Sequence, residues 1–178
     1  FSNAYSSSYR TDRGIVSLMS AYPGQPTSSL MTVPSKSKNL PQIGKSLKQE
    51  GYISHFYYGG DEDFTNMRSY LIDGGFDNRV VDKDFPIQDR MSKWGVHDHI
   101  IFSRATHEIR QRYTQCPDYH YLDVILTLSS HEPFEVPFTS EFSHAYLNSV
   151  AYTDSCLGAF VDSLKQHLLW DRTIIILS

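Results

Sequence analysis

The residue of this chain best suited to nucleophilic chemistry is Thr11, in the stretch Ser6-Ser7-Ser8-Tyr9-Arg10-Thr11-Asp12-Arg13-Gly14. The apolar run at residues 15–19 follows it and predicts a helix. A hydroxyl at the start of that helix, flanked by two arginines, would stand at the positive end of the helix dipole, where phosphate and similar anions bind. Thr and Asp are also common helix caps, and taken alone the Thr-Asp pair favours that ordinary role.

Further polar candidates follow the predicted strands, since binding sites in open α/β sheets lie at the carboxyl ends of strands. Asp61 follows a strand at residues 52–58, Arg68 lies in the next helix, and His131 follows a strand at residues 121–128. Arg68 and His131 are donors suited to a phosphoryl oxygen, and His131 is also a candidate metal ligand or general acid. Each residue also has an ordinary structural explanation that involves no binding. Asp61 is typical of a turn, Arg68 of a solvent-exposed helix face, and His131 of a turn within a loop. The site hypothesis rests on the expected convergence of three strand ends near one hydroxyl.

The elements that would position these residues alternate between strands and helices, which predicts a mostly parallel sheet with helices packed on it. Helices are predicted at residues 40–49, 64–72, 99–113 and 144–169, and strands at residues 52–58, 79–81, 121–128 and 173–177. Pro41 suits the first turn of one helix, Gly51 its end, and Asp98 the cap of another. The strands at 121–128 and 173–177 are apolar enough to be buried on both faces. Residues 82–95 and 129–142 are predicted to be loops.

The last predicted helix contains an acidic residue in an apolar setting. Helical spacing places Asp154 on a stripe that runs from Leu147 to Leu168. A buried carboxylate needs a partner, so we expect Asp154 to be hydrogen-bonded to a nearby loop rather than to act in catalysis.

Composition excludes several classes of function. A chain of 178 residues with a net charge of −4 predicts one globular domain without a nucleic-acid surface. No apolar run approaches the ~20 residues of a membrane span, and we expect no signal peptide within the sequence shown. Cys116 and Cys156 make no metal site; a disulfide is one alternative, and two unrelated thiols with Cys156 buried on a helix are favoured. The absence of an initiating Met and the apolar end of the sequence lead us to expect a fragment of a longer protein.

Several segments, taken in order, resemble the sulfatase-like lipoteichoic acid synthase and phosphoglycerol transferase family within the alkaline phosphatase superfamily. The resemblance covers nearly the whole chain, and its most specific segments are those around Thr11-Asp12 and His131. The segments are residues 8–14 (SYRTDRG), 57–61 (YYGGD), 94–98 (WGVHD), 126–134 (LTLSSHEPF), 152–154 (YTD) and 170–176 (WDRTIII). The implied fold is an alkaline-phosphatase-like α/β sandwich, a mostly parallel sheet between helices, and residues 1–178 would form a single partial catalytic domain.

The resemblance implies roles for the same residues. Thr11 would be the nucleophile on a phosphodiester and a metal ligand, passing through a phospho-threonine. The implied cofactor is a divalent metal, with Mn2+ expected and Mg2+, Ca2+ or Zn2+ as alternatives, which would lower the pKa of the hydroxyl. His131 matches the family's substrate-phosphate histidine, and Arg68 lies near a family substrate arginine. Asp61 is expected to shape its loop.

Two departures from the family pattern stand out. The remaining metal ligands of the family would precede Phe1 and follow Ser178, so we expect this fragment to be nearly inactive by itself. The second concerns sulfate esters: Thr11 is followed by Asp12, Arg13 and Gly14 rather than by the Cys/Ser-x-Pro-x-Arg pattern that gives formylglycine. Sulfate hydrolysis by that mechanism is therefore not expected.

The function implied is that of an extracytoplasmic phosphoryl or phosphoglycerol transferase at the cell membrane. Its substrate would be a lipid- or glycan-linked phosphodiester, its membrane anchor would be transmembrane helices outside this sequence, and no nucleic acid is involved. The alternatives are a sulfatase, phosphodiesterase or phosphatase on the same fold, a non-catalytic binding relative, and an α/β domain in which Thr11 is only a helix cap.

Overall fold

The fold is built on a three-stranded parallel sheet, seen in a computed structural model that describes residues 5–139 and 142–178. The strands are β1 (Tyr52–Tyr58), β2 (Asn78–Val80) and β3 (His120–Leu126), in the order β2-β1-β3. Tyr52 of β1 pairs with His120 of β3, and this register holds to the ends of both strands. Since all three strands are parallel, their carboxyl ends meet at one edge, as predicted for this fold class.

Six helices surround the sheet within the described residues. Their bounds are α1 (Thr11–Ser20), α2 (Pro34–Ser37), α3 (Ile43–Gln49), α4 (Met67–Asp73), α5 (Asp98–Gln115) and α6 (Ala145–Gln166). Short 3-10 turns occur at Leu30–Thr32, Phe64–Asn66, Asp82–Asp84, Ile87–Asp89 and Trp170–Arg172. Among these residues, no helix has both the length and the apolar character needed to cross a membrane.

The sheet separates two apolar layers, because alternate side chains of β1 point to opposite faces. Phe56 and Tyr58 pack with residues of α1 and α4, whereas Tyr57 packs with residues of α5 and α6. The structure therefore has the predicted sandwich of a parallel sheet between helices. Cys116 is exposed and Cys156 is buried on α6, both as free thiols, which confirms the prediction of two unrelated cysteines.

A largely buried polar network, here called the Asp123 cluster, lies between the sheet and α5. It consists of His55, Tyr57, Glu108, Arg112 and Asp123. Arg112 donates to Asp123 and, at 2.9 Å, to the Tyr57 hydroxyl, which donates to Glu108 over another 2.9 Å. The Nδ1 atom of His55 lies 3.7 Å from Asp123 Oδ1. Burial is the main reason that the pKa of Asp123 rises to about 6 and that the pKa of His55 falls to about 4.

Two predicted features of the C-terminal part are wrong. Residues 173–177 form no strand, and Ile174 and Ile176 are 90% and 79% exposed. A strand requires a hydrogen-bonded neighbour, and these residues find none among the described part of the chain. Asp154 is exposed rather than on the buried stripe, because α6 packs through the face that carries Tyr152, Cys156 and Phe160.

Other elements were predicted with shifted bounds. The helix predicted at 40–49 begins only at Ile43, and the strand predicted at 79–81 lies one residue earlier. The helix predicted at 64–72 is a 3-10 turn followed by α4, because Thr65 has a positive φ of 55° and interrupts it. β3 ends at Leu126, and its side chains are half-buried rather than buried on both faces.

Candidate functional site

The site lies at the carboxyl edge of the sheet, where the loop after β1 is held against the segment before α5. The amide of Val96 donates to the carbonyl of Gly59 over 2.8 Å. Gly95 has a φ of +133°, and a Cβ on it would lie 2.1 Å from the Gly59 oxygen. Only glycine allows this approach, which brings the end of β1 to the start of α5.

Asp98 holds the loop after β3 at this same carboxyl edge of the sheet. This residue was predicted to cap α5, but it is the first residue of the helix, and its carboxylate faces the loop instead. The carboxylate accepts the amides of Leu128 and Ser129 over 2.8 and 3.2 Å and the Thr153 hydroxyl over 2.7 Å. The Asp98 amide in turn donates to Ser129 Oγ over 3.0 Å. Asp98 is 1% exposed, so this buried junction fixes the residues that lead to His131.

His131 is exposed beyond this junction and packs on an aromatic side chain. Its ring lies 4.4 Å from the ring of Trp94, and its Nδ1 lies 3.0 Å from the carbonyl oxygen of Glu132. Trp94 Nε1 donates to the same carbonyl over 2.6 Å, and its ring lies 6.2 Å from Phe64. Trp94 was not predicted as a site residue. Its only sequence signal was its place at the start of the family-like segment at residues 94–98.

Thr11 is the first residue of α1 and is exposed. The cap position belongs to Arg10, and no side chain caps the helix, so the capping role considered for Thr11 is wrong. Among the described residues, the Thr11 hydroxyl makes no hydrogen bond. The flanking arginines differ: Arg10 is exposed and lies 3.9 Å from Asp12, whereas Arg13 is buried and donates to the carbonyl of Pro26 over 2.6 Å. An accessible hydroxyl therefore stands at the positive end of a ten-residue helix.

Arg68 lies at the second position of α4 and is exposed. Its guanidinium is 3.8 Å from Glu62 and 3.7 Å from Asp63, so it is loosely paired with the loop after β1. Asp61 shapes this loop, as expected, because its carboxylate accepts the amide of Asp63 over 2.9 Å.

The three predicted site residues do not touch one another, since no hydrogen bond or ring contact in the described structure joins Thr11, Arg68 and His131. Indirect contacts connect their elements. The ring contacts from Phe64 through Trp94 to His131 link the approach to α4 with the loop after β3. Residues 15 and 16 of α1 and Leu128 belong to one apolar cluster. The ends of β1 and β3 meet here as expected, but the third predicted strand end is missing, because residues 173–177 form no strand.

The described residues do not complete a metal site. They contain no group of three or more His, Cys, Asp or Glu side chains placed to hold a metal ion. No such group surrounds Thr11, to which the resemblance assigned a metal-ligand role, so the described residues do not by themselves fit the divalent metal that the resemblance implies.

Comparison with known proteins gives a family and a fold. The family model described as Sulfatase matches residues 1–178. The chain is 25% identical over 148 residues to the lipoteichoic acid synthase-like protein YvgJ of Bacillus subtilis, covering 74% of this chain and 22% of that protein. It is also 25% identical over 150 residues to phosphoglycerol transferase I of Xanthomonas campestris, covering 76% and 21%. The chain therefore spans about a fifth of the length of these curated relatives.

Two solved structures share the fold. One is a protein of the alkaline phosphatase superfamily from Vibrio parahaemolyticus, with a TM-score of 0.83 and 28% identity over 94% of this chain and 42% of that one. The other is the lipoteichoic acid synthase LtaP from Listeria monocytogenes, with a TM-score of 0.79 and 21% identity over 93% and 42%. The alkaline phosphatase superfamily fold expected from the sequence is confirmed.

Proposed function

Since this chain belongs to the sulfatase family, we propose that it is part of a phosphotransferase acting on a phosphodiester of a lipid or glycan. The observation on which this proposal depends is the exposed hydroxyl of Thr11 at the first residue of α1, without a hydrogen bond among the described residues. The names of two relatives, a lipoteichoic acid synthase-like protein and a phosphoglycerol transferase, support transfer rather than simple hydrolysis.

In the proposed first step, the oxygen of Thr11 attacks phosphorus and loses its proton to solvent, while the bond from phosphorus to the donor oxygen breaks and that oxygen takes up a proton from solvent. The products are a phospho-threonine and the free donor alcohol. In the second step an acceptor hydroxyl attacks this phosphorus and restores the Thr11 hydroxyl. The positive end of α1 favours the negative charge that gathers beside Thr11.

His131 and Arg68 are proposed to bind the oxygens of the transferred group. Arg68 is free to do so at small cost, because its present pairs are long and its side chain is 52% exposed. The carbonyl oxygen of Glu132 can only accept a hydrogen bond, so the Nδ1 atom of His131 carries a proton in this contact. For Nε2 to donate to the substrate at the same time, the ring must be protonated on both nitrogens. Trp94 would act as a positioning residue, because its ring supports that imidazole.

The same proposal includes a requirement of the phosphotransfer for a divalent metal, with Mn2+ as the expected ion. A bound divalent metal would supply charge neutralisation at the phosphodiester. If such an ion binds beside Thr11, its other ligands come from outside the described residues, because these contain no ligand cluster. Attachment to a membrane, with the domain outside the cytoplasm, is likewise proposed from the resemblance.

The proposal is tested by turnover of a matched aryl phosphodiester, aryl phosphomonoester and aryl sulfate with added Mn2+ or a chelator. The protein is the longest soluble form that contains this chain, beside its Thr11→Ala variant. Thr114→Ala is the matched control, because Thr114 is an exposed threonine of α5 away from this edge of the sheet. We expect diester turnover that requires Mn2+, is lost in Thr11→Ala and persists in Thr114→Ala.

Other outcomes would change the function. Faster turnover of the sulfate ester would assign a sulfatase. Faster turnover of the monoester would assign a phosphatase. Failure to turn over any of these esters or a lipid-linked phosphodiester, with all variants folded, would assign a non-catalytic relative.

A further inference from the structure

The loop that follows α1 lies against the segment that precedes Thr11. The helix is followed by Ala21, whose positive φ of 52° turns the chain back. Gly24 then approaches the earlier segment so closely that a Cβ on it would lie 2.5 Å from the carbonyl oxygen of Ser7. Residues 21–26, here called the returning loop, therefore run back to the end of α1 that carries the proposed nucleophile.

Arg13 joins the returning loop to the segment before the helix. Its Nη1 donates to the carbonyl oxygen of Pro26 over 2.6 Å and, over a longer 3.4 Å, to the hydroxyl of Tyr9. The guanidinium carbon also lies 5.2 Å from the centre of the Tyr9 ring, which is a cation–π contact. Arg13 is only 9% exposed, so this buried cation is held by a carbonyl, a hydroxyl and a ring.

The segment before the helix has few other contacts of this kind. Within the described residues, the remaining hydrogen bonds of residues 5–9 are those of a turn between Ser6 and Ser8. Tyr9 is 80% exposed, so no apolar core fixes its ring. The contact with Arg13 and the close approach of Gly24 are therefore the described interactions that hold this segment.

The first turn of α1 needs such support because no side chain caps it. Its first amides have no acceptor within the helix, and helix ends fray. The turn is closed by the bond from the Gly14 amide to the Arg10 carbonyl over 2.9 Å, and fraying would break this bond and move Thr11. Because Arg13 lies in the same turn, its bond to Pro26 opposes that motion.

We propose that Arg13 is a positioning residue for Thr11. Its guanidinium holds the first turn of α1 on the returning loop, so the Thr11 hydroxyl keeps one place relative to the transferred group. Arg13 acts through Thr11 and does not touch the substrate. The effect on turnover rests on the proposed phosphotransfer, whereas the hold on the first turn is measured without turnover.

Three variants test this role in the longest soluble form of the protein that contains this chain. Arg13→Gln removes the charge and the forked donor, whereas Arg13→Lys keeps a charged donor for the returning loop. Gly24→Ala pushes the returning loop away from the segment before the helix and leaves Arg13 in place. The matched controls are Arg110→Gln, at an exposed arginine of α5, and Gly158→Ala, where a Cβ meets no atom within 4 Å.

The first measurement is hydrogen exchange of the Gly14 amide, followed by mass spectrometry. We expect Arg13→Gln to speed this exchange about tenfold, because the amide bonds across the turn that Arg13 holds. Gly24→Ala should speed it less, and Arg13→Lys and both controls should stay near the wild type. Unchanged exchange in folded Arg13→Gln would overturn the proposal. If Arg13→Gln does not fold, unchanged exchange in Gly24→Ala would overturn it instead.

The second measurement is diester turnover, which separates positioning from a merely structural role. We expect Arg13→Gln to lower kcat about tenfold with KM changed less than about twofold, since it displaces Thr11 and removes no contact to substrate. Arg13→Lys should recover most of the lost kcat. A rise in KM as large as the fall in kcat, or no recovery by Arg13→Lys, would overturn the positioning role. A wild type without diester turnover would instead refute the proposed phosphotransfer, and the positioning role with it, whatever the exchange shows.

Discussion

The Asp123 cluster and the carboxyl edge of the sheet are both rich in polar side chains, but they use them differently. In the Asp123 cluster, Arg112 and Tyr57 have charged or hydroxyl partners, and the side chains are largely buried. At the carboxyl edge, Thr11 and His131 are exposed, and Arg68 is only loosely paired. Groups that already have partners stabilise the fold, whereas accessible groups without strong partners remain free to meet a substrate.

The largest stability effect is expected from breaking the Asp123 cluster. Arg112→Ala leaves Asp123 buried and without its cation, which should lower the free energy of unfolding by about 3 kcal/mol. Urea denaturation measures this loss. Activity per folded molecule should be unchanged, because the cluster lies beneath α5 and away from Thr11.

Arg104→Ala is the matched control for Arg112→Ala. Arg104 also pairs with Glu108, but its side chain is 41% exposed, so the loss should stay below about 1 kcal/mol. Equal effects of the two variants would contradict the distinction between a buried and an exposed pair.

A smaller stability effect combined with an effect on activity is expected at Asp98, which joins the fold to the site. Asp98→Ala leaves the amides of Leu128 and Ser129 without their acceptor, which should cost about 2 kcal/mol of stability. It should also release the loop that carries His131 and raise KM for the phosphodiester. Asp98→Asn, which keeps one acceptor oxygen, should lose less of both, as measured by denaturation and steady-state kinetics. Loss of stability with an unchanged KM would show that the junction does not position His131.

The smallest effect is expected in the pH dependence of stability. Asp123 has a folded pKa of about 6, above its ordinary value, so its contribution to stability falls as pH rises from about 4 to 6. His55 has a folded pKa of about 4, below its ordinary value, so its contribution rises with pH over about the same window. These contributions oppose each other in the wild type.

His55→Gln removes the rising contribution, so its stability should fall more steeply between pH 4 and 6 than that of the wild type. Asp123→Asn should have the reverse effect. Urea denaturation at pH 4, 5 and 6 measures the three slopes. Parallel slopes for all three proteins would contradict the pKa directions assigned to this cluster.

The sequence predicts local elements better than it predicts their partners. β1 was predicted with its observed bounds, because an aromatic run lies between glycines that end it on both sides. The apolar residues 173–177 also fit a strand pattern, but whether a neighbouring strand is available cannot be read from the run itself. The buried face of α6 was misplaced because apolar side chains such as Leu147 and Val150 also occupy its exposed face.

At the candidate site, too, the sequence predicts local structure better than it predicts contacts between distant residues. Thr11 was correctly expected at the start of a helix, since the apolar run after it is a local signal. The partners of Asp98 lie 30 to 55 residues away, so a local preference for capping gave the wrong role. Trp94 became visible as the support of His131 only when the fold brought the two rings together. The roles of Thr11, Arg68 and His131 stay predictions.

The measurement that tests the central claim most directly is mass spectrometry of the protein quenched during turnover of a phosphodiester. The donor's phosphoryl group, labelled with 18O, should appear on the peptide that contains Thr11, and fragmentation should assign it to the Thr11 oxygen. The Thr11→Ala variant should carry no label and turn over no diester. A label on another residue, or undiminished turnover by Thr11→Ala, would contradict the account.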